Sequence, residues 1–311
     1  MRNTKLCLIA LFATSMIAMP FAATSVFATP ATAERDRASR GGDDRDSDLP
    51  IQKQERIEKN FDLTAGAHKT LDVDNVTGSI EVIGTDSNQI ELVVNKTIRA
   101  ESQQKLEQAQ KEVTLDITQQ PGAVKLYVNG PFRCECNDGC GGFRHGDEGY
   151  SVKMDFQIRV PRNIDLTLKT VNSGHIQVGD ISGEYSIHNV NGTIDMTDVA
   201  GSGVARSVNG HVRITFKENP RENSDFASVN GAIELYFQHN LSGDFRFKTF
   251  NGGVYTDFPV TGLPVRAVQE QHEGSKLVFR ADRYTGGRIG AGGPEIKIET
   301  LNGDIRILEK P

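Results

Sequence analysis

The chain has 311 residues, a formal net charge of −6, no tryptophan and four cysteines. A mildly acidic chain without a basic patch argues against nucleic acid and anionic membrane as partners, and the scarcity of aromatics weakens a stacking platform for sugars. The length suffices for one large β domain.

Residues 1–33 read as a cleaved export signal. Arg2 and Lys5 give the positive start, and Leu6 to Ala18 forms a short apolar run. Small-residue sites follow at Val26-Phe27-Ala28 and Ala31-Thr32-Ala33. Ser, Thr and Pro20 interrupt the run, which suits a signal better than an uncleaved anchor. Cys7 stands too early for a lipoprotein anchor site. No other segment has the ~18 apolar residues of a span, so no transmembrane span is expected after signal cleavage. Residues 34–59, dense in Arg, Asp, Gly and Ser, have too little apolar content to order themselves and read as a disordered linker.

Residues 60–160 form an amino-terminal β region. Alternation marks strands around Thr70–Val73, Ser79–Ile83 and Gln89–Val94, and again at Val113–Thr118, Ala123–Val128 and Val152–Val160. Glu101 to Lys111 holds strong helix formers and no breaker, and is the one short helix expected. An antiparallel amino-terminal cap is the expected arrangement, since a repeat stack needs its ends covered.

Within this region residues 130–149 form a Gly-rich insert that carries Cys134, Cys136, Cys140 and His145. With Cys7 removed, three cysteines remain in an oxidising compartment. One reading is a tetrahedral Cys3His zinc site, although the C-x-C-x3-C-x4-H spacing is not a standard zinc signature. The favoured reading is a single disulfide, Cys134–Cys140 or Cys136–Cys140, that leaves one thiol. An intermolecular disulfide is the third. Zinc is the only cofactor the sequence suggests.

Residues 161–311 repeat. Gly174, Gly183, Gly192, Gly201 and Gly210 are nine residues apart, and each is followed by a G-x-φ-x-φ phrase or its remnant, as in Ile176/Val178, Ile194/Met196 and Val212/Ile214. The phrase returns off the beat after Gly78, Gly231, Gly243 and Gly303. Two turn types alternate. One carries Asn172 and Gly174, Asn191-Gly192, Asn209-Gly210, Asn230-Gly231, Asn251-Gly252 and Asn302-Gly303; the other is Ile181-Ser182-Gly183, Val199-Ala200-Gly201 and Leu241-Ser242-Gly243. Tolerance of positive φ is the expected reason for Asn and Gly there. Two half-repeats make a coil, and stacked parallel coils are favoured over Asn-Gly hairpins in a meander.

Stacking puts Gln177, Asp195, Arg213, Glu234 and Tyr255 in one outward column. Asp195 and Glu234 could form a catalytic carboxylate pair, but a solvated charge ladder with Arg213 between them is the favoured reading. His175 and His211 stand two coils apart, ~10 Å, too far for one metal. Lys217 to Ser224, with Pro220, reads as an inserted loop, and about Pro259 to Gly274 as a long excursion. Gly286 to Pro294 is glycine-rich but lacks the P-loop Lys-Ser/Thr and leads into a strand, so it reads as a loop rather than a phosphate cradle.

Several phrases together resemble a known family. They are Asp74-Asn-Val-Thr-Gly-Ser-Ile-Glu-Val-Ile-Gly84, Val160-Pro161, Leu166-Thr-Leu-Lys-Thr-Val-Asn-Ser-Gly174, the Val-Asn-Gly turns and Gly292-Gly-Pro-Glu-Ile-Lys-Ile-Glu-Thr-Leu-Asn-Gly303. Over roughly residues 60–309 the chain is similar to the bacterial β-strand-repeat domain of unknown function named "putative adhesin". The resemblance implies an exported, all-β, right-handed parallel β-helix-like solenoid. It brings no catalytic residues, and the Cys insert departs from its pattern.

The expected function is that of an exported non-enzymatic protein, periplasmic or at the cell surface, that binds or scaffolds through its β faces. The sequence does not identify the partner; an envelope protein and a polysaccharide are the candidates it leaves open. A metal- or redox-responsive protein built on Cys134, Cys136 and Cys140 is the first alternative, and a polysaccharide-processing β-helix enzyme the second.

Overall fold

The computed structural model describes residues 49–64, 66, 68–133, 148–264, 269–273, 276–280 and 284–311. In chain order the elements are β1 (Ile51–Asp62), β2 (Thr70–Asp74), β3 (Ile80–Thr85), β4 (Gln89–Ala100), α1 (Gln103–Glu112), β5 (Thr114–Gln120), β6 (Ala123–Asn129) and β7 (Tyr150–Pro161). Then follow β8 (Asp165–Thr170), β9 (Ile176–Gly179), β10 (Tyr185–Asn191), β11 (Ile194–Val199), β12 (Gly203–Asn209), β13 (Val212–Phe216), β14 (Ser224–Asn230) and β15 (Ile233–Phe237). The chain ends with β16 (Gly243–Asn251), β17 (Val254–Thr256), β18 (Val260–Leu263), β19 (Gln269–Glu273), β20 (Lys276–Arg280), β21 (Thr285–Ile289), β22 (Glu295–Asn302) and β23 (Ile305–Glu309). The protein is all-β apart from α1, the one helix among the described residues. The Ser102 side chain caps α1 by accepting from the Lys105 amide. No helix among the described residues is long and apolar enough to cross a membrane.

Two large mixed sheets face each other. The first has the order β1-β4-β7-β3-β9-β11-β13-β15-β23-β17, and the second β18-β21-β16-β22-β14-β12-β10-β8-β2-β6-β5. The chain crosses from the second sheet to the first once per rung, as β8 to β9 or β10 to β11. Ile194 lies opposite Ile176 on one side and Val212 on the other, in parallel register, and all three are fully buried. A meander would pair these strands antiparallel, so the parallel alternative holds here. Between the sheets Phe216 stacks on Phe237 at 4.8 Å, and Phe237 meets Phe245 edge-on at 5.9 Å.

Face assignment has a direct consequence for stability. Ile194→Ala is expected to cost about 2–5 kcal/mol, because the cavity opens inside a packed column. Thr193→Ala, half-buried at the surface, is expected to cost under about 1 kcal/mol. Denaturant melts of the two variants check this, and equal losses would mean that the inward face is misassigned.

Four expectations need correction. The stack does not follow chain order. In space the rungs run β6/β7, β2/β3, β8/β9, β10/β11, β12/β13, β14/β15, β22/β23, β16/β17. The second rung from each end is therefore the segment nearest its own terminus, because the G-x-φ-x-φ phrase fits any rung. The antiparallel cap is narrower than the amino-terminal region: β1–β4–β7 and β5–β6 pair antiparallel at the end of the two sheets, whereas β2 and β3 are parallel rungs of the stack. The linker expected over residues 34–59 ends before Ile51. Residues 51–59 belong to β1, whose polar sequence is held by a twelve-pair register with β4. Finally, Gly286 to Ile289 is not loop but part of β21, paired with β16 and β18, where the missing Cβ of Gly287 leaves room for Val260 and Phe247.

Candidate functional site

The Asn-Gly turns align into a column on one edge of the second sheet. Asn191 donates from Nδ2 to Asn172 Oδ1 at 3.1 Å, Asn209 to Asn191 at 2.8 Å and Asn230 to Asn209 at 2.8 Å. Asn302 then donates to Asn230 and Asn251 to Asn302, each at 2.7 Å. This is one amide ladder through six rungs. The glycines beside it serve close approach rather than positive φ, which Gly174, Gly192, Gly210, Gly231 and Gly252 do not adopt. A Cβ on Gly192 would lie 1.9 Å from the Gly174 carbonyl oxygen, on Gly210 2.0 Å from that of Gly192, and on Gly252 2.0 Å from that of Gly303.

A second ladder lies directly inward, and sequence reading missed it. Thr170, Asn189, Ser207, Ser228, Thr249 and Thr300 each donate to a carbonyl oxygen of the glycine column, at 2.9 to 3.1 Å. Five of the six are buried polar groups, and the hydrogen bond offsets their desolvation. A polar residue two places before every ladder Asn was the available signal.

Between these two polar columns one residue per rung points outward, and it is apolar. The strand registers align Val190, Val208, Val229, Leu301 and Phe250 side by side. Val208 and Val229 are each 38% exposed, Leu301 47% and Phe250 79%. The next outward column is His188, Arg206, Ala227, Glu299 and Lys248. The two columns wall a groove of about 900 Å³ that runs across the strands, and Ala227 deepens its middle. Aligned aliphatic exposure of this kind marks an interaction site more often than scattered apolar residues do.

The charged wall is braced. Arg206 reaches Asp225 at 3.0 Å, Lys248 pairs with Glu299, and the Tyr284 hydroxyl also bonds Glu299. Burial raises the Glu299 carboxyl pKa, but bonds from Lys248 and Tyr284 and the nearby Lys297 outweigh it and hold the group below the usual range. Burial, with Lys169 and Arg206 beside it, pushes the His188 imidazole pKa down. At that end of the groove His188 lies between Lys169 and Arg206 in the strand register, with Arg206 already paired to Asp225.

Other expected sites fare differently. Cys134, Cys136, Cys140 and His145 lie outside the described residues. Among the described residues no cluster of three or more His, Cys, Asp or Glu is arranged to hold a metal. The outward charge column is Gln177, Asp195, Arg213, Glu234, Arg306 and Tyr255; the inserted last rung places Arg306 between Glu234 and Tyr255. Arg213 bonds Glu234 at 3.0 Å and approaches Asp195 at 4.0 Å, and Arg306 meets Glu234 at 3.5 Å. With a cation on each side of Glu234 this is a charge ladder, each pair worth about 0–1 kcal/mol. His175 contacts Thr193 Oγ1 at 2.9 Å and His211 accepts from the Ala232 amide at 3.0 Å.

No family model matches this chain, and no curated protein is significantly similar to it. Solved structures do overlap it. A "putative cell adhesion protein" from Clostridium sporogenes shares 14% identity at a TM-score of 0.33, covering 83% of this chain and all of that one. A "putative adhesin" from Bacteroides fragilis shares 11% identity at a TM-score of 0.37, covering 82% of this chain and 97% of that one. The residues above, rather than these distant overlaps, carry the functional argument.

Proposed function

We propose that this is an exported, non-enzymatic binding protein whose solenoid framework presents the outer groove of the second sheet to an extended apolar ligand. The carrying observation is the file of Val190, Val208, Val229, Leu301 and Phe250, one residue per rung, on an otherwise polar edge. Residues 1–33 would direct export and the segment up to residue 50 would tether the β domain. The rungs that cross between two facing sheets support a parallel β-helix-like solenoid, and its right hand follows from the family resemblance. Residues 60–160 and 161–311 act within it as one continuous stack.

The lining selects among partners. Polysaccharide wants aromatic faces and convergent hydrogen bonds, whereas this groove has one wall of four aliphatic side chains and Phe250, and a second wall whose Arg206, Lys248 and Glu299 are already ion-paired. Its five apolar rungs span roughly 19 Å at the strand spacing, the reach of a long alkyl chain. At one end Lys169, next to His188 in the strand register, offers a cation to an anionic head. The occupant is therefore the alkyl chain of an anionic amphiphile such as a fatty acid.

Calorimetric titration with saturated fatty acids of increasing length tests this. Affinity is expected to rise by up to about fourfold per added methylene, from about 0.8 kcal/mol each, until the groove is filled. Val229→Asp should abolish binding, and Ile83→Asp, at an exposed apolar residue outside the groove, should leave it intact. Binding independent of chain length, or unaffected by Val229→Asp, refutes the assignment.

A further inference from the structure

Six asparagines precede a glycine: Asn129, Asn191, Asn209, Asn230, Asn251 and Asn302. That pair has an intrinsic chemistry. The glycine nitrogen, unhindered by a side chain on its own residue, can close on the asparagine side-chain carbonyl. The fold treats the six unequally.

Four are locked. Gly192 donates its N–H to the Asn209 carbonyl at 3.0 Å and Gly210 to that of Asn230 at 3.1 Å. Gly231 donates to the Asn302 carbonyl and Gly303 to that of Asn251, each at 2.9 Å. The nucleophilic nitrogen of each pair is thus engaged with the next rung. The electrophile is held as well, since Asn191, Asn209, Asn230 and Asn302 each donate to one ladder neighbour and accept from another.

Two are not. Asn251 stands on the last rung of the ladder. It donates to Asn302, but its own Oδ1 and the Gly252 N–H have no partner among the described residues. Asn129 ends β6 away from the ladder; its Nδ2 donates to Asp116 Oδ2 at 3.2 Å and its Oδ1 accepts from the Gly130 N–H at 2.9 Å, so the Gly130 nitrogen is engaged only by its own asparagine and not by a neighbouring rung. Both asparagines are exposed.

We propose that Asn251 and Asn129 are self-modifying sites that convert to aspartate and isoaspartate, and that the ladder keeps the other four Asn-Gly pairs inert. In the first step the Gly252 nitrogen bonds to Asn251 Cγ, the Cγ–Nδ2 bond breaks, and Nδ2 leaves as ammonia with the former amide proton. Water then opens the five-membered imide at either carbonyl. The net reaction consumes one water and releases one ammonia, with no change of oxidation state; Asn129 and Gly130 react likewise.

The product at residue 251 alters the end of the stack. Aspartate replaces the Nδ2 donor with an oxygen that faces the Asn302 Oδ1 acceptor. Isoaspartate also lengthens the backbone beside Gly252, which already stands hard against the Gly303 carbonyl. The three-residue edge strand β17, paired to β23 through Val254, Tyr255 and Thr256, is the element this releases.

Peptide mapping by mass spectrometry tests the proposal on the folded full chain aged at mildly alkaline pH, with a urea-unfolded sample in parallel. Interior pairs must open a rung before they react, and every 1.4 kcal/mol of opening slows them tenfold. In the folded chain, conversion at Asn251 and Asn129 is therefore expected to outrun the other four by at least about tenfold. In the unfolded chain all six should react at similar rates. Comparable rates at all six sites in the folded chain would overturn the proposal. So would an Asn251 or Asn129 that stays intact when folded while it converts when unfolded.

Discussion

Gly210→Ala should abolish cooperative folding or lower stability by several kcal/mol, although it adds a single methyl group. The new Cβ would stand 2.0 Å from the Gly192 carbonyl oxygen and 2.5 Å from its carbon. Ordinary overpacking costs about 1–3 kcal/mol because side chains shift aside. Here the opposing atoms are backbone. The Gly192 carbonyl also accepts from Ser207, the Gly192 amide donates to Asn209, and the Gly210 amide donates to Asn230. Relief therefore requires two rungs to part and three hydrogen bonds to stretch. Gly179→Ala is the control, since its Cβ would meet only Thr197 Oγ1 at an ordinary 3.5 Å. Chemical denaturation of both variants measures the difference. A Gly210→Ala protein as stable as Gly179→Ala would show that the rungs can separate freely at the turns.

The regular middle of the fold was legible because each rung repeats one local instruction. A turn residue followed by period-two apolar residues places Ile176, Ile194 and Val212 on one inward column whatever the rest of the chain does. The same logic aligned Asp195, Arg213 and Glu234 as neighbours. It failed at the ends because the instruction is degenerate. Nothing in Ile305 to Glu309 says which rung it joins, so Arg306 was missing from the charge column. β1 failed for the opposite reason: Gln52 to Glu58 carries almost no apolar pattern, and its strand character comes from β4. The glycines were found for the wrong cause, since a residue needed for positive φ and one needed for close approach look alike in sequence. The groove was hidden in plain view. The Val of each Val-Asn-Gly phrase read as part of a turn, and its exposure appears only once the flanking Ser and Asn columns are known to point elsewhere.

Removing the last eighteen residues, Pro294 to Pro311, should unfold the domain rather than trim its end. In a stack built in chain order, such a truncation would strip the terminal rung and leave the remainder folded. Here β22 lies between β14 and β16, and β23 between β15 and β17. Deletion therefore cuts out an interior rung. Ile296, Ile298, Ile305 and Ile307, all fully buried, are lost together. At roughly 1.5–3 kcal/mol each for burial, these four side chains alone approach the whole ~5–15 kcal/mol of a typical domain. The amide ladder breaks at the same place, because Asn302 is the link between Asn230 and Asn251. The β16/β17 rung then has no partner on its inner side, and the exposed edges of β14 and β15 become templates for association. Circular dichroism melts and size-exclusion chromatography of the truncated chain should show no cooperative transition and a shift to aggregates. A truncated protein that stays monomeric and melts cooperatively near the full-length temperature would mean that the last rung is a terminal addition and not a wedge.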